Sequence, residues 1–249
     1  MIGDQNRSQH IMDLVVSENV SKDYTTGNVT VRALEGVSFH IATGSFVSFV
    51  GPSGSGKTTL LNLIGCLDRP TLGKLTVAGR DVAHLDRRSG ALFRGQNIGF
   101  IFQDFNLIPI LTVYENVEYP LVMVRGADIK DRRKRVMELI EDVGIGGERN
   151  KYPDQLSGGQ KQRVAVARAL VTAPKLVLAD EPTANLDSKT AAKIIDLMKK
   201  MRDTFGTTFI FSTHDMRIVD AAEVIHTLRD GRLANTMNMD AKEKGEHDV

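Results

Sequence analysis

Two glycine motifs constrain this chain more than anything else in it: Gly51-Pro52-Ser53-Gly54-Ser55-Gly56-Lys57-Thr58 and, further on, Leu156-Ser157-Gly158-Gly159-Gln160. The first fits G-x-x-x-x-G-K-[ST], and its flanks supply the context that pattern needs. The apolar run 46–50 reads as a buried strand, and residues 58–64 read as a helix. Between them Gly51, Gly54 and Gly56 let backbone N–H groups turn inward, while the helix N-terminus adds partial positive charge. Such a loop cradles phosphate. Lys57 would then reach the β- and γ-phosphates of a nucleotide and the Thr58 hydroxyl would ligate Mg²⁺, with Ser53, Ser55 and Thr59 completing the phosphate site.

The second motif is weaker alone, because Ser-Gly-Gly is also common loop composition. Here Ser157 stands where a helix N-cap belongs, just before the strong helix former 160–170. A hydroxyl, exposed amides and a helix dipole then face outward together, making a second phosphate-binding surface from Ser157, Gly158, Gly159 and Gln160.

With both motifs in one sequence, the chain resembles the nucleotide-binding subunit of an ATP-binding cassette (ABC) protein, from about residue 13 to 236. The resemblance implies an α/β P-loop NTPase with a mainly parallel core sheet, an antiparallel β layer and an inserted helical subdomain at about 104–172. It makes 1–236 one domain, followed by a polar tail, 237–249, read as disordered. Further family marks follow in order. Leu176-Val177-Leu178-Ala179-Asp180-Glu181 resembles the Walker B strand, which implies Asp180 at Mg²⁺ and Glu181 as the catalytic carboxylate. Gln103 sits at the Q-loop position, which implies a third Mg²⁺ ligand and a sensor in catalysis. Asn185-Leu186-Asp187 resembles the D-loop, with Asp187 near nucleotide and Ala184 where many relatives have Gly or Ser. His214 matches the switch histidine, and Tyr24 is placed where an aromatic stacks on adenine. Taken singly these residues have plainer readings. Asp180-Glu181 is equally a solvated turn, a lone histidine is usually a surface or core residue, and aromatics near N-terminal strands often just pack.

Composition fits a globular enzyme. The 249 residues are 41% hydrophobic and 25% charged, enough for one substantial core. A formal net charge of +1 gives no general case for nucleic acid or an anionic membrane surface, and the basic run 132–135 reads as a solvated helix face. The single cysteine, Cys66, excludes an internal disulfide and reads as a small packed residue. Residues 1–12 are polar and do not read as a signal peptide. No segment reaches the roughly 20 apolar residues that cross a bilayer; the best candidate, 98–124, is broken by polar residues and two prolines.

Along the chain, 13–50 reads as antiparallel strands with a turn at 26–28, and 51–102 as the P-loop helix, a turn at 70–73 and short strands. Thr112-x-x-Glu115 starts a helix with a capping box, and Val136, Leu139, Ile140 and Val143 give the next helix its apolar stripe. A helix over 188–202 buries Ile194, Ile195, Met198 and Met201, and 229–232 closes a hairpin.

The resemblance implies an ATPase using ATP and Mg²⁺, paired head to tail with a second copy of itself. Residues 61–71, 105–109 and 178–187 look most like the bacterial group of macrolide exporters, lipoprotein-releasing complexes and antimicrobial-peptide exporters. That implies a place on the cytoplasmic face of the inner membrane, docked on a separately encoded permease. It also implies force transmitted to a periplasmic or extracellular region, where an adaptor can join. The apolar loop 103–117 is expected to form the docking groove, although at least half of its residues suit the core. Division-associated signalling ATPases and soluble ABC ATPases are the alternatives.

Overall fold

The computed structural model describes residues 13–123 and 129–239; the N-terminal stretch 1–12 and the tail from 240 lie outside them. In chain order the elements are β1 (Asp13–Thr26), β2 (Val29–Ala42), β3 (Phe46–Val50), α1 (Lys57–Ile64), β4 (Leu72–Val77), β5 (Arg80–Asp81), α2 (Arg87–Asn97), β6 (Ile98–Ile101), α3 (Val113–Met123), α4 (Ile129–Asp142), α5 (Gly158–Leu170), β7 (Leu176–Asp180), α6 (Ser188–Phe205), β8 (Thr208–Ser212), α7 (Met216–Ala221), β9 (Val224–Arg229) and β10 (Arg232–Asn238). Met237 and Asn238 thus belong to a strand, not to the expected polar tail.

Two sheets form. The antiparallel one runs β2-β1-β4-β5; the larger runs β10-β9-β3-β8-β7-β6, parallel except for the β9–β10 hairpin. The larger sheet carries apolar residues on both faces because both faces are covered. Val47, Phe49, Leu176, Leu178 and Ile210 join the core shared with α1 and the antiparallel layer. Their neighbours Phe46, Val177, Ala179, Phe209 and Phe211 join the core under α3, α4, α5 and α6. The period of two along each strand divides the residues between the cores. This sandwich fixes the strand register, and the C-terminal ends of β3, β6, β7 and β8 therefore leave the sheet along one edge.

The helical stripe of α4 is as expected: Val136, Leu139, Ile140 and Val143 are fully buried. The α3 capping box also forms, with Thr112 N–H donating to Glu115 Oε2 at 2.8 Å and Glu115 N–H to Thr112 Oγ1 at 3.3 Å. The short apolar runs of the N-terminal region belong to two 14-residue strands, paired through several register shifts. One further detail differs from the sequence expectation. Residues 87–97 form a helix that the sequence reading treated as part of a strand region. Its two glycines and single buried aromatic, Phe93, hide the helical period, and Asp86 starts it by accepting from Ser89 N–H at 2.7 Å.

On β9, His226 is buried between Phe39 and Phe49, with Nδ1 2.9 Å from the Thr236 hydroxyl and no partner on Nε2 among the described residues. Burial pushes its pKa down from 6.5 to about 4. Between those values the unfolded chain binds the proton and the folded one does not. Stability is therefore complete above pH 6.5 and falls as the pH drops toward 4, by on the order of 3 kcal/mol if the whole gap is expressed. Urea unfolding midpoints measured from pH 7.5 to pH 5 are expected to fall more steeply in the native chain than in His226→Gln.

Candidate functional site: a phosphate cradle at the sheet edge

The loop leaving β3 holds backbone that only glycine accepts easily. Gly51 sits at φ 151° and Gly56 at φ 102°. A Cβ on Gly51 would lie 2.2 Å from the Leu228 carbonyl, and one on Gly56 2.7 Å from the Ala33 carbonyl. Gly56 caps α1 with no side chain accepting from the first-turn N–H groups, so those donors face the loop's interior. Lys57 Nζ donates to the carbonyls of Gly51 and Pro52 at 2.8 and 3.0 Å, which folds the ammonium over the loop.

A cavity of about 710 Å³ gathers this loop, Ser53 to Thr59, with Gln103, Asp180, Glu181 and His214. Each late arrival comes from a strand end: Gln103 two residues past β6, Asp180 the last residue of β7, His214 two past β8. Thr58 Oγ1 donates to Asp180 Oδ2 at 3.2 Å. A hydroxyl and a carboxylate side by side are hard oxygen donors. They suit Mg²⁺, which takes few protein ligands and completes its shell with water and phosphate. The buried Ser55 hydroxyl has no hydrogen-bond partner among the described residues. Donors and donor set together fit a magnesium–nucleotide phosphate tail.

Glu181 stands in left-handed backbone at φ 45°, its N–H donating to the Ser212 carbonyl at 2.9 Å. Its carboxylate is held from two sides, with His214 Nδ1 2.7 Å from Oε1 and the Thr213 hydroxyl donating to Oε2 at 3.1 Å. The loop behind it is fixed by Asp215, which accepts from the Thr183 hydroxyl at 2.6 Å and from Arg217 Nε and Nη2 at 2.8 and 2.7 Å. The Arg217 hydrogen bonds hold the Asp215 carboxyl down at about 2. Thr183, Thr213 and Asp215 were not singled out from sequence for these roles. The only signal for them was proximity to Glu181 and His214.

The remaining candidates lie elsewhere. Ser157 caps α5 in a reciprocal box with Gln160, and Gln160 reaches on to Glu148 at 3.1 Å. Gly158 and Gly159 pack against Leu186 and Thr190, where a Cβ on Gly159 would lie 2.5 Å from a methyl. Asp187 caps α6, accepting from Lys189 and Thr190 N–H. None of these lines the P-loop cavity. Nor does Tyr24: its hydroxyl donates to Asp68 at 2.9 Å, and the Lys22 ammonium lies 4.9 Å from its ring centroid.

In the expected docking loop, Val113 and Val117 are fully in the core, and Leu107 and Tyr114 pack against it. Ile110 of that loop is exposed, and so, outside it, are Leu92 on α2 and Tyr119, Val122 and Met123 on α3. Between α2, β6, Pro120 in the last turn of α3 and the far end of α5 runs a cleft of about 350 Å³.

A profile of the family described as "ABC transporter" matches residues 34–184. The chain belongs to the ABC transporter family. It is 48% identical to the lipoprotein-releasing system ATP-binding protein LolD of Anaeromyxobacter dehalogenans over 86% of this chain and 90% of that protein. It is 43% identical to the macrolide export ATP-binding/permease protein MacB of Syntrophobacter fumaroxidans over 88% of this chain, which spans only 31% of that longer protein. Among solved structures, a dimeric post-hydrolysis state of the ATP-binding cassette MJ0796 of Methanocaldococcus jannaschii, bound to ADP and Pi, superposes with a TM-score of 0.83. That match is 45% identical and covers 90% of this chain and 98% of that one. The fold is that of an ABC ATPase, and the chain is an ATPase of that family using ATP with Mg²⁺.

Proposed function

We propose that two copies of this chain close head to tail around two ATP molecules and that the closing and opening drive a separate membrane permease. The observation that carries this reading is the separation within one chain of two phosphate-binding surfaces. The P-loop, Asp180, Glu181 and His214 share one cavity, while the Ser157 end of α5 lies outside it. Each surface is then completed by the other copy, as the dimeric state of the MJ0796 relative suggests.

In the closed pair, the P-loop amides and Lys57 bind the β- and γ-phosphates, and Ser157, Gly158 and Gly159 of the second copy approach the γ-phosphate from outside. Thr58, Asp180 and Gln103 are the residues that would hold Mg²⁺, whose charge offsets that developing on the transferred phosphoryl group. Glu181 accepts a hydrogen bond from the attacking water and aligns it, with Thr213 and His214 fixing the carboxylate; His214 also faces the γ-phosphate. Asp187 is assigned to the shared interface, and Tyr24, which does not line the cavity in the single chain, is assigned to stacking on adenine. ATP bridges the two copies and ADP does not, so hydrolysis shifts the dimer toward opening.

Among the described residues no helix is long and apolar enough to cross a membrane. The likeness to LolD and to the ATP-binding part of MacB supports a permease partner, peripheral placement on the cytoplasmic face of the membrane, and work of the export or lipoprotein- and peptide-extrusion kind. Leu92, Tyr119, Val122 and Met123 are exposed on α2 and α3, the helices that supply Ala91, Arg94 and Pro120 to the cleft, and this supports the α2–α3 surface as the docking place, with Leu107, packed on the core, beneath the loop.

Two measurements test this. Glu181→Gln is expected to keep ATP affinity, lose at least tenfold in turnover, a barrier increase of about 1.4 kcal/mol or more, and accumulate an ATP-dependent dimer in sedimentation; unchanged turnover removes Glu181 from its role. Leu92→Glu is expected to keep nucleotide binding and lose capture of the co-expressed permease, whereas normal capture and transport would move the docking surface elsewhere.

A further inference from the structure

The loop 103–106 touches two cavities at once: Gln103 lines the phosphate cavity, and Asn106 lines the cleft between α2 and α3. Between them the backbone is in the left-handed region at two successive non-glycine residues, Phe105 at φ 61° and Asn106 at φ 46°. Side chains disfavour that conformation, so it persists only where the surroundings over-determine it. Local bonds help, with Phe105 N–H donating to the Phe102 carbonyl at 3.1 Å. Asn185 holds the loop's start, its Nδ2 donating to the Gln103 carbonyl and to Asp104 Oδ1, each at 3.0 Å.

The turn itself is gripped from α5. Arg168 donates through Nη2 to the Phe105 carbonyl at 2.7 Å and through Nη1 to the Asn106 carbonyl. The guanidinium is largely buried, and burial lowers its pKa to about 10, which leaves it charged at neutral pH. No carboxylate pairs with it among the described residues. Its two hydrogen bonds are therefore the compensation for burying the charge, and a planar fork meeting two successive carbonyls is geometry that lysine cannot reproduce. The end of α5 that carries Arg168 is itself fixed on the core sheet: a Cβ on Gly99 of β6 would lie 2.2 Å from the Ala169 carbonyl.

We propose that Arg168 is a positioning residue for Gln103: it pins the left-handed turn at Phe105 and Asn106 to the anchored end of α5 and so holds Gln103 toward Thr58 and Asp180. The catalytic half of the inference rests on the reading of Gln103 proposed above; the clamp does not.

The test combines amide hydrogen exchange on the nucleotide-free full chain with steady-state ATPase. Arg168→Ala is expected to speed exchange at Phe105 and Asn106 at least tenfold with the core strands unchanged. It is also expected to lower kcat by about fivefold with little change in KM for ATP. Arg168→Lys should fall between. Adding Asn106→Gly to Arg168→Ala should restore at least half of kcat, because glycine takes φ > 0 freely. Native exchange at the turn in a folded Arg168→Ala chain overturns the clamp. So does a loss of kcat accompanied by faster exchange throughout the chain and no rescue by Asn106→Gly. Gln103→Ala separates the two readings: if it turns over normally while Arg168→Ala still frees the turn, the clamp stands and the role of Gln103 falls.

Discussion

Burial of the parallel sheet on both faces is the constraint on which the rest depends. Phe46, Phe209 and Phe211 face one core while Val47, Phe49 and Ile210 face the other, so no strand can slip by one residue without turning its apolar set the wrong way. Fixed register brings four strand ends to one edge. The residues that follow them, the P-loop, Gln103, Asp180 with Glu181, and Thr213 with His214, meet there although they are spread over much of the sequence. The site is a consequence of core packing, with chemistry supplied by the few residues past each strand.

Within that edge, backbone conformation does much of the work. Gly51 and Gly56 leave no room for a side chain, which lets N–H groups close around phosphate. Glu181, Phe105 and Asn106 hold left-handed backbone without being glycine, Glu181 tied to Ser212 and Thr213 at the end of β8, and Phe105 and Asn106 tied to Arg168 on α5. Such conformations concentrate where function needs a group aimed precisely against its local preference. The strained pair at 105–106 also explains how one short loop can serve two cavities: the reversal it makes sends Gln103 and Asn106 to opposite sides.

Much of this was legible in the sequence because its signals are local. Glycines spaced around Lys57, a capping serine three residues before Gln160, and a carboxylate pair closing an apolar strand each declare their geometry within a few residues. What stayed hidden is long-range or weakly patterned. Helix α2 has only Gly90 and Phe93 buried, too little to display a helical period. Arg168 looks like any helix arginine until α5 is packed beside the loop 62 or 63 residues away in sequence. The Thr183–Asp215 bond spans 32 residues and has no motif. The apolar loop after Gln103 was legible only in part for a related reason: apolar content alone does not say which side chains turn inward, and Leu107 packs against the core while Ile110 stays exposed.

The central claim is that each ATP site is built from two copies. The most direct measurement mixes a Lys57→Ala chain with a Ser157→Arg chain, both carrying Glu181→Gln, and counts tightly held ATP in the resulting dimers by sedimentation and nucleotide release. A composite site predicts ATP-dependent mixed dimers holding one ATP each, while neither chain alone dimerises with ATP. Mixed chains that stay monomeric with ATP, although both are folded, would contradict it.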